Sequence, residues 1–206
     1  ACEMDEAVET EYKRIEHKLV QVLRTDRRVA KKILSAYLNL LTIYADQPYD
    51  QKPILYPDSD IPIIEPENIG DADTLGEKEQ KTLEIVKAAI QNGERALLYT
   101  SWVRTDSQQK LKRFLTDEGY RTEILTDKIK TTDREDWVQK KLAAGMQVLI
   151  VNPSLVETGL DLNAFTTLVF YSMGYKLFTL RQASRRSWRI NQKAPAVKVY
   201  MLYYED

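Results

Sequence analysis

Between Glu11 and Tyr44 the apolar residues Tyr12, Ile15, Leu19 and Val22 recur three and four positions apart, and the rhythm restarts after Asp26 at Val29, Ile33, Tyr37, Leu40, Leu41 and Tyr44. That spacing puts them on one face of two successive helices, the second opening near Thr25-Asp26. Five prolines, Pro48, Pro53, Pro57, Pro62 and Pro66, then fall in a short acidic stretch. Their missing N–H groups and fixed φ forbid a continuous helix or a central strand, so this stretch reads as a linker or a long surface excursion.

Beyond Gly76 short apolar runs alternate with charged helical segments. Leu83, Val86 and Ile90 mark a helix that ends at Asn92-Gly93, ahead of the strand Ala96 to Thr100. Leu111, Phe114 and Leu115 mark a second that ends at Gly119, ahead of the strand Arg121 to Leu125. Trp137, Val138 and Leu142 mark a third that ends at Gly145, ahead of the strand Val148 to Val151. Each glycine stands where a helix closes in a left-handed residue. The repeated unit is helix, glycine, strand, and the runs Thr167 to Tyr171 and Val197 to Tyr203 supply further strands. Such alternation predicts a three-layer α/β/α domain with a parallel sheet, preceded by a helical N-terminal extension. The expected organisation is helices in 1–45, a Pro-rich linker in 46–76 and the α/β domain in 77–206. In such folds ligands bind at the carboxyl ends of the strands, which directs attention to Thr100 to Arg104, Thr126 to Thr132, Asn152 to Asp161 and Ser172 to Tyr175.

Composition narrows the function classes. Thirty Lys and Arg balance 31 Asp and Glu in 206 residues, so any polyanion site must be a local patch. No run approaches the roughly 20 apolar residues that span a bilayer, and no signal peptide opens the chain, so a cytoplasmic protein without a membrane partner is expected. Cys2 is the only cysteine and His17 the only histidine, which leaves no internal disulfide and no four-ligand zinc site. Cys2 reads as a bystander.

The densest charge pattern is Arg181, Arg185, Arg186 and Arg189, near the end of a helix expected to begin around Tyr175. Arg185 and Arg189 share a face at i, i+4, and Arg186 and Arg189 are related by i, i+3, so two guanidiniums can converge on one anion. Read from spacing alone, this is either a phosphate clamp or a basic helix whose arginines pair with acidic neighbours or a phosphate backbone. The full run Gln182-Ala183-Ser184-Arg185-Arg186-Ser187-Trp188-Arg189-Ile190-Asn191-Gln192 resembles motif VI of the Swi/Snf-like branch of superfamily-two helicases and translocases, Gln-Ala-x-x-Arg-x-x-Arg-Ile-Gly-Gln. Asn191 stands at the glycine, and asparagine is the next most tolerant residue of a left-handed turn. By this resemblance Arg186 and Arg189 fall on the arginine fingers and Gln182 on the leading glutamine, while Arg185 is additional and would serve DNA or structure.

Asn152 to Leu162, which follows the strand Val148 to Val151, resembles motif V with its closing Thr158-Gly159-Leu160-Asp161. The resemblance implies that Glu157, Thr158 and Gly159 lie between ATP and nucleic acid, with Asp161 near the ribose. Read without it, Gly159 and Asp161 make a turn and a helix cap. Ala96 to Trp102 with the following helix is similar to motif IV, which would bring Thr100, Ser101 and Arg104 to phosphates. Leu125 to Arg134, with Lys128, Lys130, Thr131, Thr132 and Arg134, corresponds to the loop that holds the tracked strand in these motors. Asp127 stands near the place of the family's usual glycine there. Val197 to Leu202 matches the family's last strand, and the likeness covers about residues 78 to 206 in order.

The resemblance implies a second, C-terminal RecA-like (P-loop NTPase-like) domain. Gly70 and Gly76 lack a following Lys-Ser/Thr, and no strand ends in an acidic box, so neither the P-loop nor the magnesium-holding pair of a motor is present. ATP and Mg would be bound mainly by a first RecA-like domain elsewhere in the polypeptide. Hydrolysis by this chain alone is not expected, and the track would be nucleic acid, with the motif wording favouring double-stranded DNA. Two other readings stay open. One is a degenerate RecA-like module that binds nucleic acid or protein without ATP turnover. The other is a phage- or conjugation-type partner protein recognised through residues 46–70.

Overall fold

The computed structural model describes residues 1–101, 106–156, 160–172 and 196–205. The chain divides into two compact units, one of Glu3–Glu77 and one of Ala1–Cys2 with Lys78–Asp206.

In the first unit two helices, α1 (Glu6–Thr25) and α2 (Arg27–Tyr44), form a hairpin. Helix α1 starts earlier than its apolar rhythm suggests because the Asp5 side chain caps it, accepting from the Ala7 amide at 3.0 Å. Asp26 serves both helices. Its extended backbone ends α1, and its carboxylate accepts from the Arg28 and Val29 amides at 3.0 Å each, satisfying two of the orphan donors of α2. The Pro-rich stretch contains no helix. It folds into an antiparallel pair of short strands, β1 (Ile54–Leu55) and β2 (Pro62–Ile64), with Leu55 opposite Pro62 at the first residue of β2, a strand position that tolerates proline. Ile54, Ile63 and Ile64 join Ile15, Leu19, Ile33, Tyr37 and Tyr44 in one apolar core, so the excursion is packed onto the hairpin.

Its polar tie is Glu11, a buried carboxylate that accepts from Arg14 Nε at 2.5 Å and Nη2 at 2.7 Å and from the Glu67 amide at 2.9 Å. Arg14 Nη2 also donates to the Glu65 carbonyl at 2.8 Å, and the Tyr44 hydroxyl to the Glu67 carbonyl at 2.7 Å. Three side chains thereby hold residues 65–67 against α1 and α2.

In the second unit α3 (Glu77–Gln91), β3 (Ala96–Tyr99), α4 (Ser107–Asp117), β4 (Thr122–Leu125), α5 (Arg134–Ala143), β5 (Val148–Val151), β6 (Thr167–Phe170) and β7 (Lys198–Met201) follow in order. The five strands form one sheet in the order β4-β5-β3-β6-β7, every pairing parallel. Side chains alternate across it. Leu97, Tyr99, Leu125, Leu149, Val151, Leu168 and Phe170 join a core with Val138 of α5, whereas Ala96, Leu98, Ile124, Val148, Ile150 and Val169 meet Val86 of α3 and Leu111 and Leu115 of α4. Burial on both faces is why the runs Ala96–Tyr99 and Val148–Val151 are uninterruptedly apolar, and it yields the three-layer architecture expected from the alternation. Each buried Val, Leu, Ile or Phe among them contributes about 1.5–3 kcal/mol by leaving water.

Helices α3, α4 and α5 end alike. At the last of them the Met146 amide bonds the Lys141 carbonyl and the Gly145 amide the Leu142 carbonyl, both at 3.0 Å, a Schellman arrangement. Gly145 has φ +90°, and a Cβ there would collide with the Arg121 guanidinium. Cys2 corrects its reading as a bystander. It is 1% exposed, lies in the core on the α3/α4 face, and forms a parallel bridge with Tyr204 through Cys2 N to Tyr203 O at 2.8 Å and Glu205 N to Cys2 O at 3.1 Å. Among the described residues no helix is long and apolar enough to cross a membrane.

Candidate nucleotide and nucleic-acid site

Strand β3 is the first of this sheet's five strands along the chain, yet it lies at the centre of the sheet. The chain leaves it toward β4 on one side, and after β6 it reaches β7 on the other. Connections that diverge from neighbouring strands open a crevice at their carboxyl ends, here between β3 and β6.

The residues at that point are bonded to one another. The Ser101 amide donates to Ser172 Oγ at 2.8 Å, and Ser101 Oγ donates to the Ser172 carbonyl at 3.0 Å. Asn152, just past β5, donates through Nδ2 to the Ser101 carbonyl at 3.0 Å, while its Oδ1 accepts from Ser154 N at 2.9 Å and Ser154 Oγ at 2.6 Å. One serine thus joins the ends of β3, β5 and β6. Thr100 is fully buried behind it, its Oγ1 accepting from Gln108 Nε2 of α4 at 2.7 Å, so this hydroxyl faces inward and secures the strand end to the helix.

Behind Ser172 lies a buried polar cluster. Lys110 of α4 and Glu79 of α3 form an ion pair at 3.0 Å with side chains only 5% and 3% exposed. The Tyr171 hydroxyl donates to Glu79 Oε1 at 2.7 Å. The Lys78 ammonium stands 5.2 Å from the Tyr171 ring centroid and 4.9 Å from that of Tyr204, within cation–π range. Buried charges of this kind persist only when paired and hydrogen-bonded, and here the pairing connects α3, α4 and the end of β6.

The second rim is the segment after β4. Arg134, expected to meet phosphates, is instead turned inward. Its Nε donates to the Ile129 carbonyl at 3.2 Å and its Nη1 to the Leu155 carbonyl at 2.9 Å, tying this loop to the 3₁₀ turn Pro153–Val156 that follows β5. Thr131 and Thr132 lie exposed on the 3₁₀ turn Thr131–Asp133, with Thr132 Oγ1 donating to Asp133 Oδ1 at 2.8 Å. Lys128 and Lys130 are also exposed, with no carboxylate in ion-pair distance among the described residues. The Asp161 amide donates to Glu135 Oε2 at 2.9 Å, and Asp161 Oδ1 accepts from the Asn163 amide at 3.1 Å, a self-closed Asx turn. Arg104, Glu157, Thr158, Gly159, Gln182, Arg185, Arg186 and Arg189 lie outside the described residues.

At the opposite, amino end of the sheet the charges serve register. Glu94 accepts from Lys198 Nζ at 2.7 Å and Thr167 Oγ1 at 2.5 Å, and these bonds, led by that from Lys198, hold its carboxyl below the usual range. Burial would raise the Glu123 carboxyl, but Lys141 at 2.6 Å and Lys112 at 3.4 Å outweigh it and the net shift is downward.

The shaping residues that sequence reasoning did not single out are Gln108, Glu79 and Lys110. Their signal is absent locally, because their partners lie on other elements. Ser172 and Asn152 fell inside strand-end windows but carried no specific expectation.

Residues 77–191, more than half of the chain, match the helicase conserved C-terminal domain family. Among curated protein sequences no match is found. The structure is similar to that of the C-terminal part of the Fun30 ATPase domain, with a TM-score of 0.74 and 13% identity over 100% of this chain and 83% of that one. It is also similar to the Sulfolobus solfataricus SWI2/SNF2 ATPase core in complex with dsDNA, with a TM-score of 0.70 and 16% identity over 98% of this chain and 39% of that one. At such identities the likeness concerns the fold. The chain belongs to the helicase conserved C-terminal domain family and folds as a RecA-like α/β/α lobe of the kind seen in the Fun30 and SWI2/SNF2 ATPases.

Proposed function

We propose that this chain is the second motor domain of an ATP-dependent helicase or translocase of the Swi/Snf-like branch, acting on double-stranded DNA. The observation that carries the reading is the junction of Ser101, Asn152 and Ser172, which binds together the strand ends from which the segments resembling motifs IV, V and VI depart. Catalysis of phosphoryl transfer is mostly positioning plus stabilisation of spread charge, so loops on bonded strand ends suit it.

In this reading Arg186 and Arg189 enter a cleft against ATP held by a first RecA-like domain, with Gln182, Glu157, Thr158, Gly159 and Asp161 on the nucleotide side. Ser101, Arg104, Thr131, Thr132 and Arg185 face the nucleic acid, and Thr100 and Arg134 hold the loops from behind. In this reading magnesium is held together with ATP mainly by that first domain.

The test is ATP hydrolysis by the complete motor with and without duplex DNA, repeated with Arg186→Ala and Arg189→Ala. Losses on the order of a thousandfold are expected for each. Unchanged turnover would remove the finger assignment and leave the degenerate binding module. This chain alone is expected to show no ATPase, and robust hydrolysis by it would refute the half-site.

A further inference from the structure

The helical hairpin carries a concentration of positive charge that the strand-end site does not use. Arg24, Arg27, Arg28, Lys31 and Lys32 lie within nine residues at the tip of the hairpin, all exposed, against a single carboxylate, Asp26. That carboxylate is engaged in capping α2. Lys32 has a loose ion pair with the exposed Asp58 at 3.5 Å, and Arg24, Arg27, Arg28 and Lys31 have none among the described residues. On α2, Arg27 with Lys31 and Arg28 with Lys32 form two adjacent i, i+4 rows, each pair separated by about 6 Å of helix rise.

The positive surface continues along α1. Thr10, Lys13, Arg14, His17, Lys18 and Gln21 line one shallow groove on that helix. Lys13 pairs with Glu9 and Arg14 with Glu11, and Glu16 is exposed on the same helix, while His17 and Lys18 have no carboxylate partner among the described residues. From Lys13 to Arg24 the face runs for about 16 Å. In a chain of net charge −1 this is a segregated patch, and placing like charges together costs folding energy that the fold itself does not repay.

We infer that the tip of the α1/α2 hairpin, with the groove on α1, is a second contact surface for a nucleic-acid phosphate backbone, separate from the strand-end loops. Two features select a phosphate backbone. Arginine forks match phosphate oxygens, and duplex DNA presents one charge per about 1.7 Å of axis, a density that suits several closely spaced cations. The inference rests on the proposed nucleic-acid reading and adds a second place of contact to it.

The test is fluorescence anisotropy of a labelled mixed-sequence duplex of about 20 base pairs with the full 206-residue chain, over KCl from about 25 to about 200 mM. Arg24→Gln, Arg28→Gln and Lys31→Gln together should weaken binding at least about tenfold and lower the log–log salt slope by about 3. Glutamine keeps helix propensity, and circular dichroism checks that the hairpin remains. Lys128→Gln with Lys130→Gln, on the strand-end loop, is measured alongside. If that pair weakens binding while the hairpin triple changes neither affinity nor slope, the inference falls and the proposed function stands. If the triple weakens binding and the pair does not, the inference stands and the strand-end nucleic-acid assignment falls. No binding by the unaltered chain at low salt overturns both. Stronger binding of poly-glutamate or anionic vesicles than of duplex at matched charge would assign the surface to another partner and overturn the inference.

Discussion

Ser101 and Ser172 bond each other twice, the amide of Ser101 to the hydroxyl of Ser172 at 2.8 Å and the hydroxyl of Ser101 to the carbonyl of Ser172 at 3.0 Å. The pair latches the end of β3 to the end of β6. Ser172→Ala removes the acceptor for the Ser101 amide and should lower stability by about 1 kcal/mol in urea unfolding. In the complete motor the same variant should reduce kcat more than it raises KM for ATP, because it loosens loop placement. A change in KM alone would contradict that role.

Lys110→Met takes the ammonium partner from the buried Glu79 carboxylate, which among the described residues keeps its bond from the Tyr171 hydroxyl. The expected loss is about 3–5 kcal/mol. Lys110→Met combined with Glu79→Leu removes both charges and should recover most of it. Denaturant unfolding of the four members of this cycle checks the coupling, and strictly additive losses would show the pair to be energetically independent.

Glu11 links pH to the stability of the helical unit. Burial acts to raise its carboxyl, but the Arg14 fork and the Glu67 amide outweigh burial, so the folded value lies below the ordinary 4.5. A depressed folded value means stability that is fully present above the unfolded value and is lost as pH falls through the folded one. Below about pH 4.5 the unaltered chain should therefore lose stability that Glu11→Gln does not have to lose. The difference between their unfolding midpoints should shrink on acidification. A difference that stays constant down to strongly acidic pH would refute the linkage.

Gly145 and Gly93 both adopt positive φ, at +90° and +73°, yet their surroundings differ. A Cβ at Gly93 meets nothing within 4 Å, whereas one at Gly145 runs into the Arg121 guanidinium. Gly93→Ala should cost about 1 kcal/mol from backbone strain alone. Gly145→Ala should cost little more, because the far end of the exposed Arg121 side chain can swing aside for at most the loss of its bond to the Ala144 carbonyl, and Arg121→Ala should remove that small excess. Thermal unfolding of the three variants separates strain from collision.

Much of the second unit was legible because its signals are local. Gly93, Gly119 and Gly145 end helices by a mechanism confined to a few residues, and the run Val148 to Val151 is apolar because both of its faces are covered. The Pro-rich stretch was legible only by exclusion. Its prolines forbid a helix, but that Ile54, Ile63 and Ile64 pack onto α1 and α2 depends on contacts that no local pattern encodes. Arg134 shows the same limit. Its charge pointed outward to phosphate, and the carbonyls of Ile129 and Leu155 turn it inward.

By itself the sequence determined the two N-terminal helices, the alternating helices and strands described in the second unit, the α/β/α class and the family, and it raised the expectation at Gln182 to Gln192, since each rests on short-range periodicity, turn chemistry or motif order. Only the tertiary structure decided the strand order β4-β5-β3-β6-β7, the latch between Ser101 and Ser172, the pairing of Glu79 with Lys110 and Tyr171, and the burial of Cys2 beside Tyr204. The physical reason is separation along the chain. Glu79 and Tyr171 stand 92 positions apart, and a partner so distant is chosen by the burial and closure of the whole sheet, not by anything adjacent to either residue.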